Sequence, residues 1–127
     1  NSLNFFEEMK VFAMISKMMY HDPTVVTPEQ TLRAATRGGA LAQGREDCGL
    51  LKEGFRADLI VVDVDKPNMY PVHNMVNNLV YSASGTDVVL TMADGKVLYE
   101  NGEYLTLDIC RTIREAENAT QKILSML

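Results

Sequence analysis

The chain has 127 residues, 46% of them hydrophobic and 23% charged, and its formal net charge is −5 at neutral pH. Its length suits one domain or a piece of one, and its composition permits a packed core and argues against disorder. The negative charge argues against nucleic acid as the main partner, because phosphate binding requires a basic surface, and no apolar run approaches the roughly 20 residues of a membrane-spanning helix.

An amphipathic helix over Leu3 to Tyr20 is the first predicted element. Its apolar residues recur at intervals of three and four, the spacing of one helix face. Asn1, Ser2 or Asn4 can cap it. Its methionines are typical either of an adaptable binding groove or of a packed helix face, and their gap-filling role favours the packed face. The predicted face is Phe5, Phe6, Met9, Phe12, Ala13, Ile15, Ser16 and Met19, and the other methionines are Met14 and Met18.

A second helix is predicted after a break at His21-Asp22-Pro23, since proline disfavours helix in the residue before it. Thr27 is the predicted N-cap, Pro28 the first helical residue, and Gln30 the partner that completes a capping box. Gly44 is the predicted C-terminal cap. The expected buried side consists of Leu32, Ala35, Thr36, Gly39 and Ala40.

The apolar run from Ala57 to Val62 predicts a strand buried on both faces, because it is rich in β-branched residues and lies between turn signals. Two glycines, Gly49 and Gly54, bound the predicted turn that leads into it. Asp58 is the one acid in this region. It is either catalytic or held by hydrogen bonds to nearby backbone amides, and we favour the second interpretation.

A short helix is predicted over residues 73–83, after a loop bracketed by Pro67 and Pro71. His73 stands at its start. One histidine without a second histidine or a cysteine at ligand spacing makes a poor metal site. A hydrogen-bonded, structural histidine is therefore favoured over a metal ligand or general base.

From Thr86 the apolar period changes to two, which indicates strands. Asp94-Gly95 and Asn101-Gly102 each predict a tight hairpin turn. Three strands, the last over Glu103 to Leu107, are therefore expected to form a meander beside the strand that begins at Ala57.

A final helix is predicted over Ile109 to Met126, with Asp108 as its cap. Arg111 and Glu115 can pair one turn apart on its outer face. Its apolar stripe consists of Ile109, Ile113, Ala116, Thr120, Ile123 and Leu127.

No complete catalytic motif stands in the sequence: there is no G-x-S-x-G, no paired histidines on a helix, no C-x-x-C and no phosphate loop. The two cysteines, Cys48 and Cys110, lie far apart in unlike contexts, which favours free thiols in a reduced, cytoplasmic setting. The residues alone therefore indicate an α+β domain, with no catalytic residue and no metal ligand assigned.

The stretch from Gly49 to Asp108 resembles the carboxyl-terminal end of metal-dependent amidohydrolases, especially the subgroup of 5-methylthioadenosine/S-adenosylhomocysteine deaminases, chlorohydrolases and guanine deaminases. Residues 1–9 resemble the loop and helix after the last barrel strand, and residues 34–40 resemble the next helix. The segments that carry the rest of the resemblance are residues 49–54, 57–63, 71–74, 79–85 and 94–97, with Asn101-Gly102.

This resemblance implies the terminal helices of a (β/α)8 barrel plus the last strands of its small β-sandwich, closed by a carboxyl-terminal helix. The implied units are residues 1–46 for the barrel helices, 47–108 for the sandwich portion with its short helix 73–83, and 109–127 for the last helix. In the family the metal ligands and the catalytic glutamate lie upstream. Asn1 and Ser2 are then nearest the active-site mouth, at the rim of the substrate pocket.

Two functions follow from the resemblance. The first is an inert carboxyl-terminal piece of a hydrolase in which a divalent metal, zinc or iron, activates water to expel ammonia from a purine or related ring. The second is an independent, non-catalytic binding or assembly module of the same fold. The absence of a starting methionine favours the first. Unpaired strand edges and a bare apolar face also predict a homo-oligomer or a domain swap, besides packing against the rest of the barrel.

Overall fold

The computed structural model describes residues 3–126 as a group of helices packed beside one antiparallel sheet. The helices are α1 (Phe5–Tyr20), α2 (Pro28–Arg33), α3 (Gly39–Ala42), α4 (Met75–Tyr81) and α5 (Ile109–Leu124), and a π-helical turn, Ala34–Gly38, joins α2 to α3. Single 3₁₀ turns cover Pro67–Met69 and Gly85–Asp87. The strands are β1 (Leu59–Val62), β2 (Val88–Ala93), β3 (Lys96–Glu100) and β4 (Glu103–Tyr104).

The helix ends follow the predicted capping chemistry. Asn4, one of three candidates, caps α1 by accepting a hydrogen bond from the backbone N–H of Phe6. Thr27 and Gln30 form the reciprocal capping box of α2, with Thr27 N–H donating to Gln30 Oε1 over 2.9 Å. Gly44 adopts a positive φ of 71° just after α3. These three features are confirmed because capping depends on residues adjacent in sequence.

The sheet has the predicted meander order, β1-β2-β3-β4, with every neighbouring pair antiparallel. Both hairpin turns have positive φ at both central residues: 51° and 77° at Asp94 and Gly95, and 46° and 95° at Asn101 and Gly102. That geometry is the type I′ turn, whose twist matches the twist of the strands that it joins.

The core lies where α1, α2 and α4 meet, and it holds Phe6, Met9, Ala13, Met69 and Val80. Thr31 of α2 and Asp87 before β2 are the polar residues buried in the described chain. Of the buried side predicted for the second helix, Thr36 is exposed, and the fully buried position is Thr31 instead. Thr31 and Ala35 lie four residues apart on one helix face, and the π-helical turn that begins at Ala34 changes the spacing of the residues after it, so Thr36 falls outside that face.

Gly49 brings the connector after α3 back against the helical turn that contains Arg37. A Cβ at Gly49 would lie 2.8 Å from the Cα of Arg37, and Gly49 has a φ of 78°. Arg37 Nη1 donates to the backbone oxygens of Glu46 and Cys48 over 2.9 and 2.8 Å. Only glycine satisfies both the close approach and the positive φ.

The prediction that the first strand is buried on both faces is wrong for the described chain. The strand begins at Leu59 rather than Ala57, it forms one edge of the sheet, and Ile60 and Val61 are about half exposed. A run of β-branched residues signals that both faces suit burial, whereas burial itself requires a covering layer, which the described residues do not provide.

Two other predicted elements are present with different extents or packing. The last strand of the meander ends at Tyr104 instead of Leu107, and one more backbone bond to β3, from Leu105 N–H to Leu98 O, follows it. Every described residue of α5 is exposed, although Asp108 caps it and Arg111 Nε pairs with Glu115 over 2.7 Å as predicted. Leu127, the last member of the predicted stripe, lies outside the described residues.

The packed methionine face predicted for the first helix is confirmed only at Met9. Met14, Met18 and Met19 are more than half exposed. Within residues 3–126 there is no helix with the length and apolar character needed to cross a membrane.

Candidate functional site

The start of α1 is the described region closest to the predicted pocket rim. Asn1 and Ser2 themselves lie outside the described residues. Asn4 caps the helix, and its Nδ2 also donates to Glu7 Oε1 over 3.1 Å. These bonds hold the first turn of α1 in a defined orientation, so the path of the chain into α1 is set by Asn4 and its neighbours.

The Ser84–Asp87 loop packs directly against this helix start. A Cβ at Gly85 would stand 3.3 Å from Asn4 Oδ1, so the absence of a side chain at Gly85 lets the two segments approach. A groove of about 620 Å³ opens beside this contact, between the helix start and one face of the sheet. Its wall includes Tyr99 and Tyr104, whose rings lie 5.2 Å apart.

The buried carboxylate of Asp87 fixes the loop. Its Oδ2 accepts hydrogen bonds from Asn68 Nδ2 and from Ser84 N–H, each over 2.8 Å. Asn68 Nδ2 also donates to Ser82 O, and Asp63 N–H donates to Asp87 O. Asp87 therefore joins the end of β1 and the 3₁₀ turn to the loop against α1, and Asn68 extends this connection to the end of α4.

Sequence reasoning missed Asp87, Asn68 and Ser84. The signal that points to them is Ser84-Gly85-Thr86-Asp87, a capping-box pattern with an acid three residues after the serine. That pattern predicts a local turn. The long-range bond from Asn68 has no counterpart in the local sequence.

A second polar cluster surrounds Cys48, at a groove of about 510 Å³. Asp58 Oδ1 accepts from Asp94 N–H over 2.6 Å, so hydrogen bonding to a backbone amide is confirmed, although the amide is 36 positions away. The Cys48 thiol donates to Asp47 Oδ1 and Asp58 Oδ2 over 3.5 and 3.6 Å. Arg56 lies 3.0 Å from Asp47 and 3.6 Å from Asp94.

Electrostatics in this cluster favour a neutral thiol at Cys48. Burial, followed by the carboxylates of Asp47 and Asp58, raises the pKa of Cys48. The hydrogen bond from Arg56, followed by that from Cys48, lowers the pKa of Asp47. A protonated, buried thiol is a weak nucleophile, so this cluster ties the connector to the hairpin turn at Asp94 and is poorly suited to nucleophilic chemistry.

The histidines lie apart from both clusters. His73 is exposed just before α4, without a hydrogen bond to the residues that the structure describes, and its predicted structural role stays a prediction. His21 ends α1 in the left-handed conformation, with a φ of 50°.

A metal centre does not fit the described part of the chain. No group of three or more His, Cys, Asp and Glu side chains within residues 3–126 is arranged to hold a metal ion. Stable metal sites need three or four such ligands converging on one point. The described residues are therefore given no role as metal ligands.

Solved structures similar to this chain indicate its class of protein. The zinc-bound adenosine deaminase of Xanthomonas campestris matches with a TM-score of 0.92 and 30% identity, over 95% of this chain and 28% of that chain. A zinc complex of the atrazine chlorohydrolase of Arthrobacter aurescens matches with a TM-score of 0.78 and 27% identity, over 89% and 25%. The helices and sheet described above are thus a structural unit that recurs within zinc hydrolases.

The family follows from the sequence matches. The model of the amidohydrolase family matches residues 1–98. A 5-methylthioadenosine/S-adenosylhomocysteine deaminase of Dictyoglomus thermophilum is 44% identical over 117 residues, which are 92% of this chain and 28% of the relative. A 5′-deoxyadenosine deaminase of Methanosarcina mazei is 41% identical over 125 residues, 98% of this chain and 29% of the relative. The chain belongs to the amidohydrolase family, corresponds to the carboxyl-terminal portion of its members, and spans about 28% of the length of these relatives.

Replacing Asp87 with alanine leaves Asn68 Nδ2 and Ser84 N–H without their acceptor. We expect the free energy of unfolding to fall by about 2–3 kcal/mol, because unsatisfied buried donors are costly. Asp87→Asn is expected to cost less, about 1 kcal/mol, since one oxygen accepts both bonds. Urea unfolding followed by circular dichroism measures both. Asp65→Ala, which removes an exposed acid bonded to Tyr70, is the control. An equal loss of unfolding free energy in Asp65→Ala and Asp87→Ala contradicts the role of Asp87 in fixing the loop.

The raised pKa of Cys48 predicts unequal thiol reactivity. At pH 8 we expect Cys110, which is exposed, to react with an aromatic disulfide reagent about tenfold or more faster than buried Cys48. Stopped-flow absorbance resolves the two phases. Cys110→Ser should remove the fast phase and leave the slow one, whereas a single fast phase in that variant means that Cys48 is not protected.

Proposed function

We propose that this chain is the carboxyl-terminal scaffold of an aminohydrolase acting on an adenosine-like nucleoside, and that it is inert by itself. The observation that carries the proposal is the fit of 95% of the chain, at a TM-score of 0.92, to 28% of a zinc-bound adenosine deaminase. The names of the sequence relatives, which are deaminases of 5-methylthioadenosine, S-adenosylhomocysteine and 5′-deoxyadenosine, support the nucleoside class.

The exposed face of α1 supports a scaffold role. While α1 buries Phe6, Met9 and Ala13 against α2 and α4, its other apolar side chains remain about half exposed or more. A continuous apolar face of this kind marks a surface that packs against other protein. The exposed members are Phe5, Val11, Phe12, Met14, Ile15, Met18, Met19 and Tyr20.

The reaction of such an enzyme replaces the ring amino group of the purine with an oxygen from water and releases ammonia. We propose a divalent metal, zinc or iron, for the complete enzyme, and the zinc in both solved relatives favours zinc. None of the described residues is assigned to that chemistry. Their contribution is to hold the barrel helices and the sandwich strands in place.

Several further features belong to this proposal. We propose Asn1 and Ser2 as part of the pocket rim, His73 as a structural residue, and a cytoplasmic location. We also propose the division into residues 1–46, 47–108 and 109–127. The Asn4 and Gly85 contact supports the rim, because it orients the chain that enters α1.

A non-catalytic assembly module is the second candidate, and the exposed stripe of α5 favours it. Ile109, Ile113 and Ile123 share one face of a helix whose described residues are all exposed. Together with the open edge of β1, this stripe suits a homo-oligomer or a domain swap when no barrel is present.

A split enzyme tests the scaffold. The Dictyoglomus thermophilum deaminase, cut before the segment that matches this chain, is co-expressed with the 127 residues. We expect the pair to release ammonia from 5-methylthioadenosine in a coupled assay, and each part alone to release none. Ammonia release by this chain alone, or a stable pair that deaminates no adenosine nucleoside, contradicts the proposal.

Matched variants show whether the pair forms through α1. Phe12→Asp places a charge on the exposed apolar face and should abolish association, because burying an unpaired charge is strongly unfavourable. Lys10→Asp is the matched control. It changes the net charge by more than Phe12→Asp does, but it replaces a residue that is already charged and exposed. It should leave ammonia release within about twofold, since exposed charges contribute little.

A further inference from the structure

One buried hydroxyl in the structure has no partner. Thr31 is 1% exposed, and its Oγ1 is the buried side-chain oxygen or nitrogen in the described chain without a hydrogen bond. Leaving a buried hydroxyl unsatisfied is costly, so such a group usually has a role or a missing partner.

The other helical hydroxyls show what Thr31 does not do. Ser16, Thr36, Thr112 and Thr120 each donate to the backbone oxygen four residues earlier, over 2.8–2.9 Å. This is the usual way for a serine or threonine to satisfy itself within a helix. Thr31 Oγ1 makes no such bond: the Thr27 oxygen accepts from the Thr31 backbone N–H but not from its hydroxyl.

Thr31 lines a pocket of about 500 Å³ between α1 and α2. Among the other described residues that line the pocket, Glu8 is the one charged residue and the rest are apolar. An apolar pocket with one buried hydroxyl, and with its carboxylate exposed on Glu8, fits an occupant that is mostly apolar and carries a hydrogen-bonding group for Thr31. The apolar lining consists of Phe5, Met9, Phe12, Ala34 and Ala35.

We propose that this pocket receives a segment of the amino-terminal portion of the barrel, and that a polar group of that segment hydrogen-bonds to Thr31 Oγ1. This proposal rests on the proposed scaffold function and adds Thr31 as the residue at which the two parts of the enzyme are anchored. The two hydroxyl lone pairs and one proton allow the group to be either a donor or an acceptor, such as a backbone N–H or C=O.

The barrel is favoured as occupant for two reasons. The chain keeps the shape that the matched segment has within a single larger protein, and the relatives are more than three times its length. The pocket is also continuous with the exposed apolar face of α1, since Phe5 and Phe12 belong to both. A surface of this composition suits a permanent interface.

Access to the hydroxyl requires a side chain to move. Phe5 and Phe12 are 59% and 48% exposed and line the pocket, whereas Met9 is buried. Rotamer changes of exposed side chains at an interface are common on binding. Docking therefore opens the pocket at the two phenylalanines and leaves the packing of Met9 intact.

Substitutions at Thr31 in the split enzyme test the anchor. Thr31→Val keeps the shape and removes the hydroxyl, and Thr31→Ser keeps the hydroxyl and removes the methyl group. We expect Thr31→Val to raise the Kd of the two parts about 5- to 100-fold, because the partner group loses its hydrogen bond in a buried interface. Thr31→Ser should stay within about threefold of the unchanged chain. Thr36→Val, at a hydroxyl satisfied by Leu32 O, is the matched control.

Analytical ultracentrifugation of the purified pair gives the Kd, and circular dichroism confirms that each variant is folded. An unchanged Kd for Thr31→Val, or a loss in Thr31→Ser that Thr31→Val lacks, overturns the anchor while leaving the scaffold intact. The anchor proposal is also overturned if the chain associates with itself and Thr31→Val weakens that self-association, because a second copy of the chain then occupies the pocket. Failure of the unchanged chain to associate overturns both proposals.

Discussion

The constraint on which the structure depends is that α1 has more apolar surface than residues 3–126 cover. Phe6, Met9 and Ala13 pack against α2 and α4 and create the core. Phe12 and Ile15 lie on the same helix and remain about half exposed. Apolar area in water opposes stability at about 25 cal/mol per Å², so this face of the helix suits contact with a further layer of protein.

Polar groups give this partial core its definite shape. The Asp87 carboxylate bonds Asn68 and Ser84, and its backbone oxygen bonds the end of β1. Arg37 and Gly49 hold the connector against the helix. The cluster at Cys48 then ties the same connector to the hairpin turn. These bonds hold separate elements of the described chain in one arrangement.

Local features were predictable because neighbouring residues determine them. The capping box at Thr27 and the two type I′ turns follow from short patterns that specify φ and hydrogen bonding within a few residues. The family resemblance was also carried by sequence, and the comparisons confirm it. The burial of the first strand was predicted wrongly, because apolar character shows that a face can be covered and cannot show what covers it.

The sequence by itself determined the positions of the helices and strands, the turns between them and the family. Only the tertiary structure brought Asn68 to Asp87 and Asp94 to Asp58, contacts that span 19 and 36 residues. It also left the hydroxyl of Thr31 buried without a partner. The physical reason is that caps and turns are satisfied within one or two turns of chain, whereas burial and long-range hydrogen bonds depend on how separate elements pack.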